Sequence, residues 1–98
     1  MSATGDAVVA IERALELTAV RLREDPDYAV YRTARAELEA MRRTLVASGA
    51  PDRQLQQDLS IGWLAIRELE GSDPEYEQAL KRAAYAYRQL PERPQPPT

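Results

Sequence analysis

A chain of 98 residues is one domain's worth of sequence, long enough to bury a modest core without covalent staples. It contains neither Cys nor His, which removes disulfides, thiolate and imidazole metal ligands, the commonest nucleophile and the commonest general base. Its net charge of −3, with Arg supplying all but one of the 13 basic residues, argues against the phosphate-neutralising surface of a nucleic-acid binder.

No apolar run reaches the roughly 18 residues of a membrane span. The opening Met1-Ser2-Ala3-Thr4-Gly5-Asp6 lacks the basic start of a secretory signal, so a cytoplasmic protein without membrane contact is expected. Thr4 or Asp6 is suited to cap a first helix running to residue 24. Its apolar stripe is Val8, Ile11, Leu15, Thr18 and Leu22, alternating spacings of three and four. Val9, Leu17 and Val20 fall on the opposite side among Arg13, Glu16 and Glu24, so this helix has apolar groups to bury in two directions.

Asp25-Pro26 ends that helix and opens a second over residues 26–48. Asp satisfies an orphan backbone N–H, and Pro loses nothing in a first turn. Tyr31, Ala34, Leu38, Met41 and Leu45 form the second stripe, while Arg35, Glu39 and Arg43 recur on the solvent side. Gly49 suits the left-handed residue that ends a helix, and Pro51 blocks continuation.

Asp52 caps a third helix that reaches Gly71. Its stripe is Leu55, Leu59, Gly62, Ile66 and Leu69, with Trp63 sealing the core margin. Ile61 and Leu64 point away, roughly 140–200° round the helix at 100° per residue. Gly62 costs about 1 kcal/mol against Ala, which close approach of another helix would offset. A fourth helix starts at Asp73-Pro74 and covers residues 74–90, with Tyr76, Leu80, Ala83, Tyr87 and Leu90 inward and Tyr85 on its back. The Asp-Pro-acid-Tyr pattern at Asp25 recurs at Asp73, either as hairpin duplication or as two uses of a good helix start.

Short connections make neighbouring helices antiparallel, and no strand alternation is present. The expected fold is all-α: an up-and-down four-helix bundle of two αα-hairpins over residues 1–90, followed by a disordered Pro-rich tail at 91–98. No catalytic, cofactor-binding or metal site is expected. The glycines are isolated rather than grouped in a phosphate loop, and di-iron bundles require Glu-x-x-His pairs. Paired carboxylates remain a conceivable chemistry, but they need a deep cleft that a small bundle rarely has.

Binding is the role left. Leu17 and Val20 on the first helix and Ile61 and Leu64 on the third are candidate interface residues, or else mark the more central helices. The acidic stretch Glu68, Glu70, Asp73, Glu75 and Glu77 contains no base; it suits steering of a basic partner, or stabilisation of the fourth helix start. Trp63 is either core or a binding anchor.

Glu12-Arg13-Ala14-Leu15, Arg21-Leu22, Pro26 and Tyr28, then Leu59, Gly62, Ala65, Glu68, Asp73-Pro74-Glu75 and Ala79-Leu80-Lys81, recur in an order that carries a resemblance. Over roughly residues 8–87 the chain resembles the small helical immunity proteins of bacterial type VI secretion, those protecting against NAD(P)+ glycohydrolase effector toxins. The resemblance implies a cytoplasmic, non-enzymatic inhibitor that binds a cognate effector toxin domain, covers its active-site cleft, and protects the producing cell and its kin. It transfers no interface residue. The residues' own chemistry nominates Leu17, Val20, Ile61, Leu64, Glu68, Glu70 and Asp73, and Ile61→Asp or Leu64→Asp is then expected to weaken binding while sparing the fold. With a toxin partner the chain is expected to be a monomer or weak homodimer. The other reading is a structural helical module or adaptor without a toxin partner, self-associating through Leu17, Val20, Ile61 and Leu64.

Overall fold

The computed structural model describes residues 2–91, which form helices and turns without a strand. Ser2 opens the first helix: its hydroxyl oxygen accepts from the Gly5 N–H at 2.9 Å, and α1 runs Ala3–Glu24. Thr4 and Asp6 therefore lie inside the first turn instead of capping it, where Asp6 still suits the positive helix end. At about 1.5 Å per residue, the 22 residues of α1 span about 33 Å of the 47 Å long axis.

α1 is the middle helix, packed on both α2 (Ala29–Ser48) and α5 (Pro74–Arg88). The buried set is Ala7, Ile11, Ala14, Leu17, Thr18 and Leu22. Ile11, Thr18 and Leu22 of the expected stripe hold their place, and Ala7 and Ala14 take the deep positions expected for Val8 and Leu15. Of the expected second face, Leu17 is covered while Val9 and Val20 stay exposed. Alanines at the contact let the neighbouring helices approach closely. Leu17, expected on a free surface, is consequently in the core at 7% exposure.

The two Asp-Pro segments do different work. Asp25 ends α1, with its N–H on the Arg21 carbonyl, and Pro26-Asp27 forms a turn before α2 begins behind Tyr28. Asp73 does cap α5, accepting from the Tyr76 N–H, with Pro74 in the first turn. At the other end of α2, Gly49 takes φ 72° and returns its N–H to Leu45, as its position requires.

The third rod departs most from the sequence reading. It begins with α3 (Arg53–Asp58), capped by Asp52, and then breaks at Leu59, whose φ −59°, ψ 129° is extended. Ser60 restarts the chain into α4 (Ile61–Leu64), which continues directly as a π-helical segment over Ala65–Leu69. The new start is satisfied from another helix. Glu37 on α2 accepts from the backbone N–H of Ser60 at 2.7 Å and of Ile61 at 3.1 Å, and from the Ser60 hydroxyl.

This break resets the helical phase. Leu59, Ile61, Ala65 and Leu69 enter the core, the last three at spacings of four along one face of the restarted helix. Ile61 is fully buried, which corrects its expected place on a spare face. Ile66 and Trp63, expected in or against the core, are exposed. A Cβ on Gly62 would meet Ala84 Cβ at 3.7 Å, an ordinary contact, so that neighbour does not demand a glycine.

α5 buries Tyr76, Leu80, Ala83 and Tyr87 as its periodicity predicts, together with Glu77 and Ala84. It lies against α1 and against α4 with the π-helical segment, completing an up-and-down bundle of two helical hairpins. Among the described residues no helix is long and apolar enough to cross a membrane. Pro91 is exposed, and the rest of the expected flexible tail, 92–98, lies outside the described residues.

Candidate protein-binding surface

The residues nominated from sequence separate into three groups. Leu17 and Ile61 belong to one continuous core cluster; Ile61 is wholly enclosed, and Leu17 reaches the surface only as the floor of a groove. Val20, at 38% exposure, lies at the surface of α1, and Leu64 is half-buried on α4. The acidic stretch is largely occupied by the fold itself.

Asp73 is the clearest case. Its two carboxylate oxygens accept from Arg21 Nε at 2.8 Å and Nη2 at 2.9 Å, a bidentate clasp between the end of α1 and the start of α5. Glu75 reaches the same Arg21 at 3.5 Å and Arg13 at 3.3 Å. Arg21 also stacks over Tyr76 at 4.9 Å, and the Tyr76 hydroxyl meets buried Thr18 at 2.8 Å. Burial pushes the Tyr76 phenol upward, opposed by the Thr18 hydrogen bond. Glu77 is buried and paired with Lys81 at 2.5 Å. Glu68, beside Arg67 at 3.4 Å, and Glu70 are left as exposed acids.

The Arg21 hydrogen bonds hold the Asp73 carboxyl below its ordinary range against the opposing effect of burial. A depressed folded-state value means this contribution is complete above the unfolded-state value, about pH 4, and is lost as pH falls through the folded-state value. Asp73→Asn should therefore lose about 1.5 kcal/mol at neutral pH, the size expected for a part-exposed charge-assisted pair. Its urea midpoint should also change less than the wild type's between about pH 5 and pH 3, and an equal loss of stability in both proteins over that range would refute this role.

The surface that periodicity missed lies on the second hairpin. Trp63, Ile66 and Tyr85 are 60%, 51% and 68% exposed and line one shallow groove between α4 and α5. Gly62 and Ala84 form its floor, and Lys81 and Arg88 edge it. The Arg67 guanidinium lies 4.9 Å from the Trp63 ring centroid, bracing the indole from one side. Tyr85 was legible as an off-stripe aromatic. Trp63, read as either core or a binding anchor, proves to be exposed, and Ile66 was not legible, because an uninterrupted helix would turn it toward the core.

A second groove runs between α1 and α5, with Ala10, Leu17 and Ala79 beneath Val9, Arg13, Glu75 and Arg82. Its volume of about 370 Å³ is within the range of small-ligand clefts, roughly 300–1,000 Å³. Arg13 and Glu75 on its rim are already paired across it, however, so part of its polarity serves to join the two helices.

The Tsi6 family profile matches residues 6–89, a span that contains both grooves. The chain is 37% identical over 75 residues to the immune protein Tsi6 of Pseudomonas aeruginosa strain PAO1, covering 76% of this chain and 79% of that protein. It is similar to the solved structure of Tsi6 from Pseudomonas aeruginosa, with a TM-score of 0.76, 36% identity and 83% of each chain covered. It is also similar to a chain in the structure of Tse6 in complex with Tsi6, with a TM-score of 0.75 and 33% identity over 83% of this chain and 85% of that one.

Proposed function

Since this chain belongs to the Tsi6 family, we propose that it is a type VI secretion immunity protein that binds a cognate effector toxin domain and occludes its active site. The observation that carries this reading is the match, over 83% of the chain, to a solved complex of Tse6 with Tsi6. Occlusion asks for a rigid, preformed surface, because each side chain or loop ordered on binding subtracts from affinity. The interlocked bundle supplies that surface: its helix starts are tied by Asp73, Asp52 and Glu37, and Arg21 clasps the end of α1 to the start of α5.

The resemblance further suggests a toxin that degrades NAD(P)+. The inhibitor then acts in the cytoplasm of the producing cell by keeping the dinucleotide out of the toxin's cleft, and needs no catalytic group of its own. The competing picture, self-association through Leu17, Val20, Ile61 and Leu64, loses two of its four anchors to the core.

Co-expression with the toxin domain encoded by the adjacent reading frame is the test. Growth should be rescued, cellular NAD(P)+ should be preserved, and the two proteins should co-purify. Neither rescue nor a complex would overturn the immunity reading. Rescue from a toxin that leaves NAD(P)+ untouched would retain immunity and discard the dinucleotide chemistry.

A further inference from the structure

We propose that the groove between α4 and α5, walled by Trp63, Ile66 and Tyr85, is the surface on which the cognate toxin domain docks. We further propose that the toxin fills it with an apolar side chain flanked by carboxylate. This rests on the toxin-binding reading above and adds to it the place and the chemistry of contact.

The first argument is the backbone. A continuous third helix would tuck Ile66 under the bundle beside Leu69, as its spacing predicts. Instead the chain breaks at Leu59, borrows a cap from Glu37, and widens into a π-helical turn, leaving Ile66 and Trp63 outside. π-helical turns inside α-helices are frequent at functional sites. Here the restart at Ser60, by burying Ile61, puts Ala65 rather than Ile66 on the inner face and leaves two large apolar side chains, Trp63 and Ile66, beside a third, Tyr85 from α5.

The second argument is shape. Gly62 and Ala84 are the small residues between the three large ones, so the patch has a concave centre rather than a flat top. Trp, Tyr and Arg are the residue types that dominate binding energy at interfaces, and they do so around such desolvated pockets. Arg67 stacked on Trp63 pre-organises the indole before any partner arrives.

The third is charge. In a chain of net charge −3 this groove is edged by Lys81 and Arg88, and Arg67 stacks on its Trp63 wall. Glu77 and Glu68 pair with Lys81 and Arg67. Arg88, by contrast, donates to a neutral group, the Leu59 carbonyl at 2.9 Å, so its positive charge stands uncompensated by that contact. A partner carboxylate is the complementary group. The α1–α5 groove also carries a cation, Arg82, but no aromatic side chain lines it, so it lacks the combination of exposed Trp63 and Tyr85 with a basic edge.

The experiment measures affinity of the purified adjacent-frame toxin domain for the full chain, four single variants and one double variant, alongside thermal melts and sedimentation. Trp63→Ala should weaken binding about 30-fold or more and Tyr85→Ala about tenfold, the range of aromatic hot spots. Arg67→Glu should weaken it further at low salt than at high salt. Val9→Asp, on the α1–α5 groove, should leave affinity unchanged. Because these side chains are exposed, all four should melt within about 2 °C of wild type. Wild-type affinity in a Trp63→Ala, Tyr85→Ala double variant would overturn the proposal while leaving immunity intact. So would loss of self-association, without loss of toxin binding, in the same variant. If wild type binds no toxin, the functional reading fails and takes this surface with it.

Discussion

Replacing Ile61 with Asp is expected to abolish folding. Ile61 is fully buried, and its neighbours in the core cluster come from every rod of the bundle. The substitution forfeits about 2–3 kcal/mol of apolar burial and places a carboxylate with no cationic partner among aliphatic groups, which costs several kcal/mol more. Against a typical total of about 5–15 kcal/mol, that removes most or all of the margin. Far-UV circular dichroism and a denaturant titration should show an unfolded or non-cooperative chain. Ile61→Ala, which adds no charge, should fold but lose about 3 kcal/mol, or roughly 15 °C in melting temperature. A cooperative melt near the wild-type temperature for Ile61→Asp would mean that Ile61 is not a core residue. The contrast with Trp63→Ala, close by in sequence and expected to be silent in stability, makes the pair a test of the helical phase itself.

The second large effect is expected at Tyr87, where the end of α2, the start of α3 and the end of α5 meet. Its ring is fully buried, its hydroxyl hydrogen-bonds Thr44 at 2.7 Å and accepts from the Asp52 N–H at 2.8 Å, and its carbonyl accepts from Gln56 at 2.8 Å. α3 has no buried residue of its own, so it is held largely by these hydrogen bonds and by its Asp52 cap. Tyr87→Ala should cost about 4 kcal/mol through the cavity alone. Tyr87→Phe keeps the ring but leaves the Asp52 N–H without its acceptor, while Thr44 keeps its bond to the Met41 carbonyl, for about 1.5 kcal/mol. In the Phe variant, hydrogen exchange should accelerate first at the amides of α3, ahead of α1 and α5. Uniform acceleration across all helices would show that the hydroxyl supports the whole bundle and not that one turn.

The legible part of this fold was the part built from local rules. α5 announced its own start with Asp73-Pro74, and its buried residues follow an uninterrupted helical period. Gly49 marked the end of α2, and the expected all-helical bundle follows from such signals. The sequence reading failed where a distant group decides the outcome. Glu37 lies far along the chain from Ser60, and no pattern within the third rod shows that its carboxylate will cap a helix there. From that one contact follow the misplacement of Ile61, Ile66 and Trp63, and with it the candidate site. Leu17 was misread for a related reason: an apolar residue among charges looks exposed until a second helix is known to cover it. The acidic stretch was half legible, since Asp73 was read correctly as a helix start, while its clasp with Arg21 joins opposite halves of the chain.

The Glu37 contact also orders events in time. Nucleating a helix as short as α4 is unfavourable on its own, and this one lacks a local side-chain cap. It becomes stable only once α2 presents its carboxylate, so the first hairpin templates the second. During synthesis that sequence is the natural one: α1 and α2 leave the ribosome before Ser60 does, and the receptor for the restart is ready when the segment emerges. A chain rearranged so that the second hairpin came first would carry the same contacts and would lose that head start.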